Sequence, residues 1–217
     1  MNIKEVLEQR YATKEFDTNK KLSPEQVEQV KAMLQLSPNS TNLQPWHFII
    51  ADSEAGKQRI ASSTEGLYQF NTSKILDASH VVVFCSRLSA EEDYLRHVLD
   101  KEDSDGRYAN EEFKDMMHGG RSMFVDMHKY ELKDLQHWME KQVYLNIGNL
   151  LLGAAALGLD ALPMEGVDLK TLDTEFGLRE KGFTAVAVVS LGFRKETDFN
   201  AQLPKSRLDR DEIFTLV

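Results

Sequence analysis

Residues 139–158 form a long stretch in which only Glu140 and Lys141 are charged, and this stretch constrains the fold more than any other part of the chain. Its spacing predicts an α-helix that is apolar on nearly all sides, and such a helix must be buried on most of them. Glycine and alanine at positions 153–156 give it a small-residue face that another element can approach closely. The chain therefore needs a core large enough to surround this helix.

The segment from residue 143 to residue 159 is long enough to raise the question of a membrane span. Asn146 and Asn149 interrupt it, and the charged pair at 140–141 precedes it. We therefore expect a buried helix and no association with a membrane.

The other predicted helices have clear local signals. Residues 3–9 indicate a short helix, and a second helix begins after Ser23, with a proline in its first turn and Gln26 placed to complete a capping box. Residues 89–138 are charged and mostly helical in pattern. A further helix begins after Asp168 and stops at Gly177.

Three apolar segments predict strands: residues 47–51, 80–85 and 183–191. We expect the first of them to be a buried strand. No alternation of strands and helices typical of a parallel sheet is present. The fold class is therefore α+β, with a small sheet wrapped by helices in a single domain over residues 1–217.

Charge and cysteine content narrow the function. The formal net charge of −9 argues against a nucleic-acid-binding surface. Cys85 is the one cysteine of the chain, so no intrachain disulfide can form, which suits the reducing cytoplasm. Because Cys85 ends an apolar strand, we expect a buried and inert thiol.

Common motifs for nucleotide and metal sites are missing from the sequence. It has no glycine-rich dinucleotide fingerprint, no P-loop and no H-E-x-x-H pair. Residues 101–112 imitate a calcium loop, but Lys101 stands at the first ligand position and would repel the ion. We predict a charged turn there and no metal site.

Four polar clusters remain, at residues 10–16, 37–46, 71–74 and 204–207. Each alone is compatible with an ordinary loop, helix end or basic tail. Together they supply arginine, lysine and hydroxyl groups, the residue types that bind a phosphomonoester best. A local anion site in an otherwise acidic chain is the hypothesis that unites them.

These clusters, with residues 163–166, resemble the nitroreductase family. The resembling motifs are Arg10-x-x-x-Lys14-x-Phe16, Pro38-Asn-Ser-Thr-Asn-Leu-Gln-Pro-Trp46, Pro163-Met-Glu-Gly166 and Leu203-Pro-Lys-Ser-Arg207. They occur in order from the first helix to the C-terminal segment. The resemblance implies an intertwined homodimer with two FMN sites at the subunit interface. It also implies a central antiparallel sheet that a C-terminal strand of the partner completes.

The resemblance further implies roles for individual residues. Arg10, Lys205 and Arg207 hold the FMN phosphate, and residues 38–40 approach the flavin from the other subunit. Glu165 and Gly166 offer backbone N–H groups to the flavin ring. The implied FMN-binding residues are Arg10, Tyr11, Ala12, Thr13, Lys14, Pro38, Asn39, Ser40, Asn71, Lys74, Pro163, Met164, Glu165, Gly166, Lys205, Ser206 and Arg207.

The implied reaction uses NAD(P)H as the electron donor and FMN as the hydride carrier. Nitroaromatics, quinones and similar small acceptors then take two electrons in a ping-pong scheme. No protein nucleophile is required, and Lys14 and Lys74 give electrostatic support to the reduced flavin. The implied substrate- and NAD(P)H-contacting residues are Lys14, Thr41, Asn71, Lys74, Arg107 and Phe124.

Two positions depart from the family pattern, and several functions remain open. Ala12 stands where the family usually has serine, and Asn39 where it often has serine, so both bear on flavin affinity.

An NAD(P)H:flavin reductase would use the same site. A flavin-binding protein without turnover and an acidic helical interaction protein without a cofactor are alternatives of other classes.

Overall fold

A four-stranded antiparallel sheet lies at the centre of the fold, in a computed structural model that describes residues 2–217. The strands are β1 (Trp46–Ala51), β2 (His80–Arg87), β3 (Asp160–Met164) and β4 (Phe183–Gly192). Their order across the sheet is β1-β2-β4-β3. The two central strands are buried on both faces, which explains why their sequences are continuously apolar. The predicted α+β class with a small antiparallel sheet is confirmed.

The two edge strands differ from the prediction. Only Ala51 of β1 is fully buried and His47 is exposed, so the expectation of a buried first strand was wrong. The reason is its position: β1 pairs with β2 alone. Strand β3 was not predicted, because it is short and contains Pro163. An edge position tolerates proline, since one side of the strand needs no backbone donor.

Helices cover both faces of the sheet. Their bounds, in chain order, are α1 (Ile3–Gln9), α2 (Pro24–Gln35), α3 (Glu54–Ala61), α4 (Thr72–Leu76), α5 (Glu92–Ser104), α6 (Glu111–Asp126), α7 (Leu135–Ala156), α8 (Leu169–Phe176) and α9 (Arg210–Ile213). The predicted capping box of α2 is present, with Ser23 and Gln26 bonded to each other's backbone.

The long apolar helix α7 begins at Leu135, before the predicted start, and packs against α2 and the sheet. Its small-residue face has the predicted use: a Cβ on Gly153 would lie 1.9 Å from Met33 Sδ of α2. Burial is incomplete, however. The side of α7 that carries Tyr144 and Leu145 leaves them 43% and 48% exposed.

Cys85 is completely buried in β2, as predicted. Burial, helped by the charge of Asp173, raises the pKa of its thiol to about 12. In the residues 101–112 that imitate a calcium loop, Asp103 pairs with Lys114 at 2.6 Å and Asp105 pairs with Lys101. Residues 2–217 contain no cluster of metal-ligating side chains. Within the same range, no helix has the length and apolar character that a membrane crossing requires.

Candidate functional site

A basic cradle forms where the C-terminal segment returns to the end of α1. Arg10, Lys205 and Arg207 line a cavity of about 450 Å³ there. The Lys205 ammonium donates to the carbonyl of Leu7 at 2.6 Å and also to that of Arg10, which fixes the two segments together. The cradle thus joins the first and the last of the predicted clusters.

Positive charges accumulate in the cradle. Burial lowers the pKa of Arg10, and the charge of Arg207 lowers it further. Burial also lowers the pKa of Lys205, with added repulsion from Arg10 and Arg207. Cations that raise each other's electrostatic energy are favourably placed to bind an anion, since the anion relieves that repulsion.

The segment from Tyr11 to Lys14 is fixed by two residues that the sequence did not single out. Asp198 accepts hydrogen bonds from the Tyr11 hydroxyl at 2.9 Å and from the Lys14 amide at 3.0 Å. Asn200 donates to the Ala12 carbonyl at 2.8 Å. Asp198 also caps the turn at residues 199–202, and this capping pattern is the signal that could have drawn attention to it.

Ala12 and Thr13 extend the edge of the sheet. Ala12 forms an isolated parallel bridge with Ala161 of β3, and the Thr13 amide donates to the Ala161 carbonyl at 3.3 Å. The Thr13 hydroxyl is buried and has no partner among the described residues. Such a group is a ready donor to a ligand placed beside it.

A second cluster brings together residues from three separate motifs. The Asn71 side chain donates to the Gly166 carbonyl at 2.9 Å and accepts from the Lys74 ammonium at 2.9 Å. Burial lowers the pKa of Lys74, and the neighbouring charge of Lys14 lowers it further. A Cβ at Gly166 would lie 2.8 Å from Asn71 Nδ2, so glycine is needed for this close approach.

Glu165 precedes this glycine and forms one end of an apolar cavity of about 470 Å³ beside α7. The Tyr144 hydroxyl donates to Glu165 at 2.6 Å. Burial and this hydrogen bond raise the pKa of Tyr144 to about 12. Tyr144 was missed at the sequence level because it lies inside the apolar helix pattern. Pro163 and Met164 of β3 line the same cavity.

The loop at residues 37–46 lies against other helices. The Ser40 amide donates to Gln142 of α7 at 2.9 Å, and the Thr41 carbonyl accepts from Arg121 of α6 at 2.9 Å. Asn39 accepts from the Gln44 amide at 2.7 Å, so its side chain closes the loop. These contacts are with α6, α7 and the loop itself rather than with residues 10–14.

The last two predicted residues lie in the α5–α6 region. Arg107 is 3.8 Å from Glu102, with its guanidinium mostly exposed. Phe124 lies on α6 and is 39% exposed. One chain therefore forms two clusters: Arg10 with residues 205–207, and Asn71 with Lys74 and Gly166. Lys14 links them through its charge effect on Lys74, whereas Pro38–Thr41, Arg107 and Phe124 lie on other surfaces.

This protein is suited to bind a small anionic ligand, because its α+β fold presents both the basic cradle and the neighbouring charges of Lys14 and Lys74. The profile of the Nitroreductase family matches residues 7–193. Over 217 residues the chain is 54% identical to an oxygen-insensitive NAD(P)H nitroreductase of Salmonella typhimurium, with 100% of both chains covered. The chain belongs to the nitroreductase family, and the resemblance found in its motifs is confirmed.

Two further comparisons bear on the family. The major NAD(P)H-flavin oxidoreductase of Aliivibrio fischeri is 35% identical over 212 residues, covering 97% of this chain and 96% of that protein. A nitroreductase of Exiguobacterium sibiricum, solved in complex with FMN, superposes with a TM-score of 0.83 at 24% identity. That alignment covers 100% of this chain and 98% of the other, and it supports the fold.

Proposed function

We propose that this chain is an FMN-dependent NAD(P)H oxidoreductase of the oxygen-insensitive nitroreductase type, acting in the cytoplasm as a single-domain homodimer. Its acceptors are small planar molecules such as nitroaromatics and quinones. The observation that carries the proposal is the convergence of Arg10, Lys205 and Arg207 at one cavity. The segment that follows Arg10 leads to Lys14, whose charge acts on Lys74 in the second cluster. The full-length identity of 54% to a named nitroreductase supports the same function.

The residues of the two clusters fit FMN in chemical type. A phosphomonoester requires charge and several donors, and the cradle offers two guanidinium groups and an ammonium. The buried Thr13 hydroxyl without a partner is a further donor in the adjoining segment. The second cluster offers an amide and an ammonium, which suit the polar edge of a flavin ring.

When bound, FMN accepts hydride from NAD(P)H and passes two electrons to the acceptor. In this proposal Arg10, Lys205 and Arg207 bind the phosphate. Lys14 and Lys74 supply positive charge where negative charge collects on reduction. Asn71 orients Lys74, since the two side chains are 2.9 Å apart. Within residues 2–217 no carboxylate forms an ion pair with Lys74, whose hydrogen-bond partner is the neutral Asn71 side chain, so its charge is available to the ligand.

The homodimer completes the site in this proposal. Ser40 and Thr41 are held by α7 and α6 of their own chain, away from residues 10–14. We assign Pro38, Asn39, Ser40 and Thr41 to the flavin site of the partner. The exposed apolar side of α7, with Tyr144 and Leu145, gives the two chains a surface to share. A large apolar interface is typical of obligate dimers.

An NAD(P)H:flavin reductase is a second candidate function. The 35% identity to the flavin oxidoreductase of Aliivibrio fischeri supports it. The two activities differ in what leaves the enzyme. Steady-state rates with nitrofurazone and with added FMN, measured on one preparation, separate them.

The purified protein is expected to be yellow, because the cradle and the lysine pair retain FMN without a covalent bond. The flavin absorbance should bleach under nitrogen when NADH or NADPH is added, and it should return when a nitroaromatic or quinone is added. Denaturation should release intact FMN. A colourless protein that cannot be reconstituted with FMN would refute the proposal, and a yellow protein that no nicotinamide bleaches would leave only a flavin-binding function.

Ala12→Ser is expected to strengthen FMN binding. Ala12 lines the cradle, and its carbonyl is held by Asn200, so the turn should keep its geometry. A serine hydroxyl would add one donor to a charged acceptor, worth about 1–2 kcal/mol, or roughly five- to thirtyfold in affinity. FMN dissociation followed by flavin fluorescence measures the change. Unchanged or weaker binding would mean that the side chain at position 12 faces the sheet rather than the phosphate.

A further inference from the structure

The loop that follows Pro38 has an unusual backbone. Thr41, Asn42 and Gln44 have φ angles of 52°, 52° and 49°, and only one other non-glycine residue in residues 2–217 has a positive φ. Left-handed conformations are especially unfavourable for a β-branched residue such as Thr41. Residues of this kind keep such angles only where the surrounding structure holds them there.

A buried ion pair holds two of these residues. Glu102 of α5 and Arg121 of α6 are joined at 2.5 Å, and their side chains are only 4% and 1% exposed. The Arg121 Nε group donates to the Thr41 carbonyl at 2.9 Å. Asn42 donates to Glu102 at 2.7 Å. Each member of the pair therefore fixes one strained residue.

The pair is arranged so that both charges persist. Burial alone would raise the pKa of Glu102, but hydrogen bonds from Tyr108, Asn42 and Arg121 bring it below its ordinary value. Arginine side chains are not deprotonated in proteins. The Thr41 hydroxyl is buried and has no partner among the described residues. The pair therefore holds Thr41 through its backbone carbonyl, which accepts from Arg121, and not through its side chain.

The two halves of the loop have separate anchors. Ser40 is held by Gln142 of α7, at 2.9 Å, and Gln142 is itself held by the Trp138 carbonyl at 3.0 Å. The Glu102–Arg121 pair holds only the half that begins at Thr41. Loss of the pair should therefore release Thr41 and Asn42 while Ser40 stays in place.

We infer that Glu102 and Arg121 are a positioning pair that, by fixing Thr41 and the neighbouring Asn42, places Thr41 for contact with the nicotinamide and the electron acceptor. This inference rests on the proposed function and on the implied roles in which Thr41 contacts the two substrates and residues 38–40 contact the flavin itself. The pair then controls the binding of the two substrates and has little influence on FMN affinity.

The test uses the double variant Glu102→Gln/Arg121→Met of the FMN-loaded dimer. Removing both charges avoids an uncompensated buried ion. We expect KM for NADH and for the acceptor to rise about tenfold, since small displacements of positioning residues have effects of this size, while FMN affinity changes less than about twofold. Hydrogen exchange at the amides of residues 41–44, measured by mass spectrometry, should accelerate in the same variant.

Asp173→Asn/Arg179→Met is the control, because it removes another carboxylate–guanidinium pair, with a buried carboxylate and an exposed guanidinium, joined at 2.6 Å in a different part of the fold. The control should leave both KM values and the exchange of residues 41–44 unchanged. Arg121→Lys is measured in parallel, since it keeps the charge balance but lacks the fork that reaches both partners, and it should also raise KM.

The outcomes separate the inference from the proposed function. The proposed function is overturned if the wild-type protein does not bind FMN, or if it binds FMN but does not oxidise NADH. An active wild type with unchanged KM and unchanged exchange in the charge-free variant, or equal effects in the control, overturns the inference. Should the charge-free variant fail to fold, an Arg121→Lys variant with wild-type KM and exchange overturns it as well.

Discussion

Arg207→Ala is expected to weaken FMN binding by about tenfold to 150-fold, equivalent to roughly 1.5–3 kcal/mol for a charged hydrogen bond. The reason is the position of Arg207 in the cradle, where its charge already perturbs the pKa of Arg10 and of Lys205. The Arg207 side chain is exposed and bonds only the carbonyl of its neighbour Ser206, so the fold does not depend on it. Flavin fluorescence during dissociation measures the effect.

Lys74→Ala provides the comparison for this variant. Lys74 lies in the second cluster, so its loss should lower the reduction potential of the bound flavin and slow reduction by NADH more than it weakens FMN binding. A potential titration and stopped-flow absorbance measure these quantities. Equal losses of FMN affinity in Arg207→Ala and Lys74→Ala would show that the division between phosphate and ring contacts is wrong.

Leu145→Glu is expected to dissociate the proposed dimer. In one chain Leu145 is about half exposed and belongs to none of the three buried clusters of the core. A monomer would therefore accept a carboxylate there with little cost. At an apolar interface the same carboxylate would be buried without a partner, at a cost of about 3–5 kcal/mol in each subunit.

Light scattering and analytical ultracentrifugation at nanomolar to micromolar concentration measure the association. Wild type should remain dimeric, and Leu145→Glu should be monomeric with weakened FMN binding. Gln58→Glu adds the same charge at an exposed position of α3 and should leave the dimer intact. A Leu145→Glu protein that stays dimeric would place the shared surface elsewhere on the chain.

Elements with local signals were predictable from the sequence. Helix α2 has a capping box, α8 has the predicted cap at Asp168, and α7 has its long apolar pattern. These features depend on residues three or four positions apart, so the sequence displays them directly. The central strands β2 and β4 were also predictable, because burial on both faces makes their sequences continuously apolar.

The edge strands were less predictable because their environment is set by distant parts of the chain. Burial of β1 depends on whether another strand pairs with its outer side, which no residue of 46–51 encodes. In β3, Pro163 lowers the strand signal, and only the pairing with β4 explains why it is tolerated.

In the candidate site, too, local features were predictable from the sequence and contacts between distant segments were not. Residue types suitable for a phosphate were recognisable in the sequence, and the cradle places three of them at one cavity. Asp198 and Asn200 were not found, since they hold residues 11–14 from across the whole length of the chain. Glu102 did leave a signal: it continues the apolar stripe of Leu95, Val98 and Leu99 on α5, where a charged residue calls for a buried partner.

The burial of Cys85 has a practical consequence for measuring how the protein moves. With its one native thiol inside the sheet and a pKa near 12, the chain presents no reactive sulfur to a maleimide or methanethiosulfonate reagent at neutral pH. A cysteine introduced at any surface position can therefore receive a fluorophore or spin label selectively, with no need to replace a native residue. Distances between two such labels, one on each subunit of the proposed dimer, would report relative motion of the subunits in the otherwise unaltered protein.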